Sequence, residues 1–123
     1  MKPKKILIVD DEPVVVTLLK SRIESRGFLV ETAHDGVSGL EKAKAWQPDF
    51  ILLDVIMPGI DGYETCRRLK IMKETAHIPV VLFTAAQETR LEALAQQAGA
   101  ARVVQKPFVN HIFKAISEIL GPG

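Results

Sequence analysis

Asp10 and Asp11 follow the apolar run 6–9, Asp54 follows 50–53, Thr84 follows 80–83, and Lys106 comes shortly after Val103 and Val104. Four hydrophobic runs thus each lead into a residue able to hold a metal ion or a phosphoryl group. If the runs are strands of one parallel sheet, their ends share an edge, and open α/β sheets bind ligands just outside the carboxyl ends of their strands. Carboxylates crowded at one edge raise one another's pKa unless a cation joins them. Asp10, Asp11 and Asp54 would therefore make a hard, all-oxygen site. Mg²⁺ suits such a site because it binds through one or two carboxylates, keeps waters, and takes phosphate oxygens as further ligands.

Each of these residues alone has a plainer explanation. Asp10-Asp11-Glu12 before Pro13 suits a helix N-terminus, where acids are favourable. Lys106 alone would be a solvated surface lysine, and Thr84 strand filler, since β-branched residues suit strands. None of this accounts for Asp54 at the end of a separate apolar run, and the combination points to a site. Facing three carboxylates, the Lys106 ammonium gains partners and can neutralise an incoming phosphoryl oxygen. The Thr84 hydroxyl can donate to another. One nucleophilic carboxylate, one metal, one ammonium and one hydroxyl supply what phosphoryl transfer needs, which is positioning and charge neutralisation. Elsewhere the residues suggest less. His34, His77 and His111 match no metal or triad spacing, Cys66 reads as a packed small residue, Trp46 as packing, and Gly36 and Gly39 are too sparse to cradle a phosphate.

The elements that must position this set follow from hydrophobic periodicity. Val- and Ile-rich runs alternate with stretches of helical period, the pattern of repeated β-α units. Strands are expected at 5–9, 29–33, 50–54, 79–84 and 102–105. The first, third and fourth are nearly all apolar, as interior parallel strands are, and the second and fifth suit the edges. Helices are expected at about 13–26, 36–46, from an Asp61 N-cap with Glu64 in capping-box position, at 88–98, and in a last segment with Ile112, Phe113, Ile116 and Leu120 on one stripe. The chain of 123 residues and 13.6 kDa reads as one domain, 1–123, with 121–123 either a terminus or the start of a linker. A net charge of +1, with 16 basic and 15 acidic residues, argues against a dedicated nucleic-acid surface. No stretch is long enough for a signal peptide or membrane span, and Cys66 is the only cysteine, which together point to the cytoplasm.

The stretches Ile8-Val9-Asp10-Asp11-Glu12-Pro13, Asp54-Val55-Ile56-Met57-Pro58-Gly59-Ile60-Asp61-Gly62, Thr84-Ala85 and Lys106-Pro107-Phe108 resemble the receiver domain of two-component response regulators. The resemblance covers essentially the whole chain. It implies a flavodoxin-like (βα)5 fold, a five-stranded parallel sheet of order 2-1-3-4-5 with helices on both faces. It implies that Asp54 accepts a phosphoryl group from a sensor histidine kinase or phosphotransfer protein. Asp11, Asp54 and the backbone carbonyl of Ile56 would bind Mg²⁺, with Asp10 helping through water, and Thr84 and Lys106 would contact the phosphoryl oxygens. The Lys106-Pro107 bond would be cis. The protein would be a signalling protein rather than an enzyme, although it assists its own phosphorylation and dephosphorylation.

The resemblance also implies a downstream protein partner on the face of the fourth helix, fifth strand and fifth helix, including Arg90, Leu91, Val103, Phe108 and His111. The chain would be a monomer or a weak phosphorylation-dependent dimer. Ile56 and Ala86 stand at the positions that flank the attacking water in the family, so slow loss of the phosphoryl group is expected. Val103 stands where many receivers carry a ring that swings on activation. An FMN carrier of the same fold would need a phosphate-cradling loop where Asp10-Asp11-Glu12 stand, and a haloacid-dehalogenase-like phosphatase would need an acid at Ile56. The remaining alternative is a receiver-shaped interaction module that is never phosphorylated.

Overall fold

Alternation along three apolar strands divides the interior into two cores. Side chains of a strand point alternately to opposite faces. Along β1 (Lys5–Val9), β3 (Phe50–Leu53) and β4 (Val80–Thr84), Leu7, Val9, Ile51, Leu53, Val80 and Leu82 enter one core, and Ile6, Ile8, Phe50, Leu52, Val81 and Phe83 enter the other. A strand covered on both sides has no face left for polar residues, which is why these runs are continuous rather than alternating. The computed structural model describes residues 2–121, so positions 122 and 123 of the expected terminal segment lie outside the described residues.

β2 (Leu29–Ala33) and β5 (Arg102–Gln105) form the edges. The sheet runs β2-β1-β3-β4-β5 with every neighbouring pair parallel, the order the resemblance implies. Helices α1 (Pro13–Glu24) and α5 (Val109–Leu120) cover the Ile6 side through Leu19, Ile23, Ile112, Ala115 and Ile116. Helices α2 (Gly36–Trp46), α3 (Gly62–Ile71) and α4 (Leu91–Ala98) cover the Leu7 side through Ala43, Cys66, Leu69, Leu91, Ala95 and Ala98. Burying Cys66 there pushes its thiol pKa up to about 11, and its Sγ donates to the Ala98 carbonyl, so it packs as expected and is no nucleophile.

The departures from the expected boundaries are local. α1 stops at Glu24 rather than at 26, because the chain tightens: the Arg26 and Gly27 amides bond the carbonyls of Ile23 and Glu24, three residues back. α4 starts at Leu91 rather than at 88, because the Leu91 amide bonds the Glu88 carbonyl, three residues back, and the four-residue helical bonding is taken up from the Arg90 carbonyl. Asp61 caps α3 by accepting from the Glu64 amide at 2.8 Å, but Glu64 pairs with Arg67 and Arg68 instead of reaching back, so the capping box is half made.

One glycine ties α3 to the site. Gly62 donates its amide to the Val55 carbonyl at 2.9 Å, and a Cβ at this position would collide with the Asp54 carbonyl. Only a residue without a side chain lets the helix start this close to the end of β3.

Candidate functional site

The ladder of the sheet runs past the strand ends and fixes the site residues. Asp10 donates its amide to Ala33 at 3.0 Å, Asp54 to Val9 at 2.9 Å and Lys106 to Thr84 at 2.9 Å. Each residue just beyond its strand thus keeps one bond to the neighbouring strand, and the functional side chains gather at a single edge. Asp10, Asp54 and Thr84 are buried, at 3%, 4% and 0% exposure.

Lys106 joins them. Its Nζ lies 3.0 Å from Asp10 Oδ2, 3.3 Å from Asp54 Oδ2 and 2.6 Å from Glu12 Oε1. The other oxygen of each buried carboxylate is held by backbone. Asp10 Oδ1 accepts from the Glu12 amide at 3.0 Å, and Asp54 Oδ1 accepts from the Val55 amide at 2.8 Å. The cis Lys106-Pro107 bond follows, as the resemblance implies. Burial raises the Asp10 carboxyl above its ordinary pKa, a shift only partly offset by the Glu12 amide and by Lys106, and the nearby Asp54 charge adds to it. Burial works the other way on Lys106, lowering it, but its bonds to Glu12 and Asp10 and the charges of Asp10 and Asp54 outweigh this and raise it. The ammonium is therefore charged at any physiological pH.

The carboxylates brought together differ in one member from those read in the sequence. Asp10, Glu12 and Asp54 each offer an oxygen, and these lie within 4.8 Å of one another. Asp11 is exposed and stands outside that group. The sequence marks Glu12 only as part of a helix start. As the N-cap of α1 it makes no side-chain cap, and its carboxylate goes to Lys106 instead. A third acid beside two others, opposite a lysine, was the available signal.

Thr84 is already in a hydrogen-bonded chain. Its Oγ1 accepts from the Ala86 amide at 3.0 Å, and the Ala86 carbonyl accepts from Gln105 Nε2 at 2.9 Å. No motif or spacing in the sequence marks Gln105. Ile56 is 60% exposed. The carbonyl of Val55 is taken by Gly62, while that of Ile56 stays out of the backbone hydrogen bonding among the described residues. Beside Asp54 opens a groove of about 520 Å³ lined by Val55, Ile56, Met57, Tyr63, Ala86 and Glu88.

The expected partner face needs one correction. Arg90, Phe108 and His111 are exposed, Val103 is half-buried, and Phe108 stacks on His111 with ring centroids 5.4 Å apart. Leu91 is only 8% exposed and packs into the core under α4, so it is not part of that surface. His34 and His77 are exposed and lie outside the carboxylate group. Among the described residues, no helix is long and apolar enough to cross a membrane.

The arrangement has known counterparts. The family described as the response regulator receiver domain matches residues 6–117. The chain is 43% identical over 126 residues to the alkaline phosphatase synthesis transcriptional regulatory protein PhoP of Bacillus subtilis, covering 97% of this chain and 52% of that protein. It is 44% identical over 105 residues to the response regulator PleD of Caulobacter vibrioides, covering 84% of this chain and 23% of that one. The chain thus spans about half or less of the length of these curated relatives. A putative response regulator from Chloroflexus aurantiacus superimposes with a TM-score of 0.91 at 31% identity, over 98% of this chain and all of its own (100%). The receiver domain of sensor histidine kinase PA1611 from Pseudomonas aeruginosa, solved with a magnesium ion coordinated in the active site cleft, superimposes with a TM-score of 0.88 at 26% identity, covering 98% and 100%.

Proposed function

This chain belongs to the response regulator receiver domain family, and from that premise we propose that it is a phosphorylatable receiver of a two-component phosphorelay, with Asp54 as the phosphoacceptor. One observation carries the reading: a charged lysine bridges two buried aspartates at the carboxyl edge of a parallel sheet. Such a group of charges has a high desolvation cost and is kept where charge must be handled.

In the proposed reaction an oxygen of Asp54 attacks the phosphorus of a phosphohistidine on a sensor histidine kinase or phosphotransfer protein. The O–P bond forms as the P–N bond breaks, and the electron pair stays on the imidazole nitrogen, which takes up a proton. Asp54 is left as an acyl phosphate. Lys106, 3.3 Å from Asp54 Oδ2, is placed to pair with a phosphoryl oxygen. Thr84 accepts from Ala86 and keeps its own O–H free to donate to another.

Asp10, Asp11, Asp54 and the Ile56 carbonyl are proposed to hold Mg²⁺, with Asp10 acting through water. The donors fit a hard cation: all are oxygen, two are buried carboxylates, and a carboxyl with raised proton affinity welcomes a positive charge. Bound there, Mg²⁺ would neutralise charge on the carboxylates and on the phosphoryl oxygens. The magnesium in the cleft of the PA1611 receiver domain supports the choice of ion. The protein acts in signalling and assists its own phosphorylation and dephosphorylation. We place it in the cytoplasm, with output through protein contact on the face that holds Arg90, Val103, Phe108 and His111.

Incubation with Mg²⁺ and acetyl phosphate, followed by intact mass measurement, tests the reading. One phosphoryl group should add, sensitive to hydroxylamine, and none should add to Asp54→Asn or in the presence of a chelator. Full labelling of Asp54→Asn would reject the assignment.

A further inference from the structure

Gln105 ends β5, and in the ladder it stands opposite Thr84. Its half-buried side chain leaves the strand and donates from Nε2 to the Ala86 carbonyl at 2.9 Å. Ala86 in turn donates its amide to Thr84 Oγ1 at 3.0 Å. The next residue after Gln105, Lys106, donates its amide to the Thr84 carbonyl at 2.9 Å. The stretch 84–86 is therefore held at both ends, at Thr84 by the backbone of Lys106 just after β5 and at Ala86 by the Gln105 side chain.

This arrangement bears on the hydroxyl of Thr84. A threonine hydroxyl has one donor and two acceptor lone pairs. With a lone pair given to the Ala86 amide, the directions open to its proton are restricted, and what fixes the Ala86 peptide fixes those directions. The rest of β5 offers no substitute. Arg102 pairs with Glu118, and the side chains of Val103 and Val104 form no hydrogen bonds. Glu88, two residues further along the loop, is held from the opposite side by the Tyr63 hydroxyl, so the loop is pinned between α3 and β5.

We infer that Gln105 is a positioning residue for the phosphoryl chemistry. Through the Ala86 carbonyl it holds the peptide that orients the Thr84 hydroxyl, and it carries any displacement of that hydroxyl to the edge strand. The inference rests on the phosphoacceptor reading above.

Two variants separate this role from mere stabilisation. Gln105→Met keeps the length and apolar bulk and removes the donor. Gln105→Glu keeps the shape and sets a carboxylate against the Ala86 carbonyl. With acetyl phosphate, labelling of Asp54 should slow by about threefold to tenfold in Gln105→Met, the order of effect of one hydrogen bond, and further in Gln105→Glu. Mg²⁺ affinity, measured alone by titration, should stay at the wild-type value, because Thr84 contacts phosphoryl oxygens and not the metal. In NMR spectra, adding beryllofluoride should shift the amides of 84–86 in all three proteins but those of 103–105 only in the wild type. Gln105→Lys, which restores a donor, should recover the labelling rate. Wild-type labelling and wild-type shifts in both Met and Glu variants would overturn the role of Gln105 alone. Equal losses of Mg²⁺ affinity and labelling rate would reduce it to a structural residue and overturn it too. A wild-type protein that takes no phosphoryl group at all would reject the parent reading, and this inference with it.

Discussion

Lys106 Nζ lies 3.0 Å from Asp10 Oδ2, with 11% and 3% of the two side chains exposed. The two groups respond to their shared burial in different ways. The ammonium is held charged by its partners, whereas burial lifts the Asp10 carboxyl above its ordinary value despite the contact. A carboxyl whose folded-state pKa is raised binds protons better in the folded chain than in the unfolded one. Its contribution therefore favours folding at low pH and is lost as the pH climbs from the ordinary carboxylate range through the raised value. In metal-free buffer Asp10→Asn should raise the Tm at neutral pH by a few degrees and flatten that limb of the stability curve. Thermal melts from about pH 4 to pH 7 check this, and a lower Tm for the variant at neutral pH would show that the ion pair outweighs the cost of burial.

Asp11 and Glu12 are adjacent and differently placed, which allows their roles to be separated. Glu12 lies with Asp10 and Asp54 and bonds Lys106, whereas Asp11 is exposed. With Asp11 as the proposed ligand and Glu12 as a partner of the lysine, Asp11→Asn should weaken Mg²⁺ binding by about tenfold or more, roughly 1.4 kcal/mol. Glu12→Gln should change it by no more than about twofold, since Lys106 keeps two other carboxylates and the pair it loses is solvent-exposed on one side. Calorimetric titration with MgCl₂ decides. The reverse ranking would make Glu12 the ligand.

Gly62→Ala tests how the packing of α3 supports the site. The added methyl group would meet the Asp54 carbonyl and must push α3 away from the end of β3. Overpacking of this kind costs about 1–3 kcal/mol, and here the displaced backbone belongs to the phosphoacceptor. Chemical denaturation should show that loss, and the labelling rate of the folded fraction should drop as well. Loss of stability with an unchanged rate would mean that β3 keeps its position and only the helix yields.

The sequence made the three interior strands and their acidic or hydroxyl ends legible because a parallel strand buried on both faces must be apolar along its length and must stop where polar chemistry begins. Helix boundaries were less legible where the backbone closes short turns, bonding three residues back rather than four. The Arg26 and Gly27 amides do so at the end of α1 and the Leu91 amide at the start of α4, while Glu64 turns to Arg67 and Arg68 within α3 and leaves the capping box half made. Within the site, Asp10, Asp54, Thr84 and Lys106 could be read from their places after apolar runs. Glu12 and Gln105 could not, because their roles depend on which way a flexible side chain turns across a distance in sequence, 94 residues for Glu12 to Lys106 and 19 for Gln105 to Ala86. Leu91, expected on the partner face, is the first residue of α4 and faces the core, an orientation set by how the short helix packs.

The lifetime of the phosphoryl group should be long, minutes or more. Ile56 and Ala86 face the groove beside Asp54, and neither side chain can hydrogen-bond a water aligned for attack. Asp61, Gln87 and Glu88 also line that groove, but the Asp61 and Glu88 carboxylates accept from the Glu64 amide and the Tyr63 hydroxyl, and Gln87 stands at neither of the two flanking positions. Ile56, at 60% exposure, can be changed without disturbing the core. Ile56→Asn should speed loss of the label several-fold, followed by intact mass over time after the donor is removed. Decay within seconds in the unmodified protein would refute the argument, and so would an Ile56→Asn rate equal to the wild type.

Phosphorylation should perturb residues 84–99 most and Val103 less. The loop after β4 carries the Thr84 to Ala86 bond, so a shift of the Thr84 hydroxyl reaches it directly. The helix that follows is held loosely. α4 has 8 residues, its N-cap Arg90 makes no side-chain cap, and it buries Leu91, Ala95 and Ala98. Helices this short are marginal on their own and depend on packing, and two of the three buried side chains are single methyl groups that contribute little apolar area. Local opening is therefore cheapest here. Val103 has a stiff χ1 and cannot move between an exposed and a buried rotamer as a ring can. Amide hydrogen exchange with and without beryllofluoride should show its largest change in 84–99, with α1 and the interior strands β1 and β3 unchanged. A response centred on α1 would break this coupling scheme while leaving phosphorylation of Asp54 untouched.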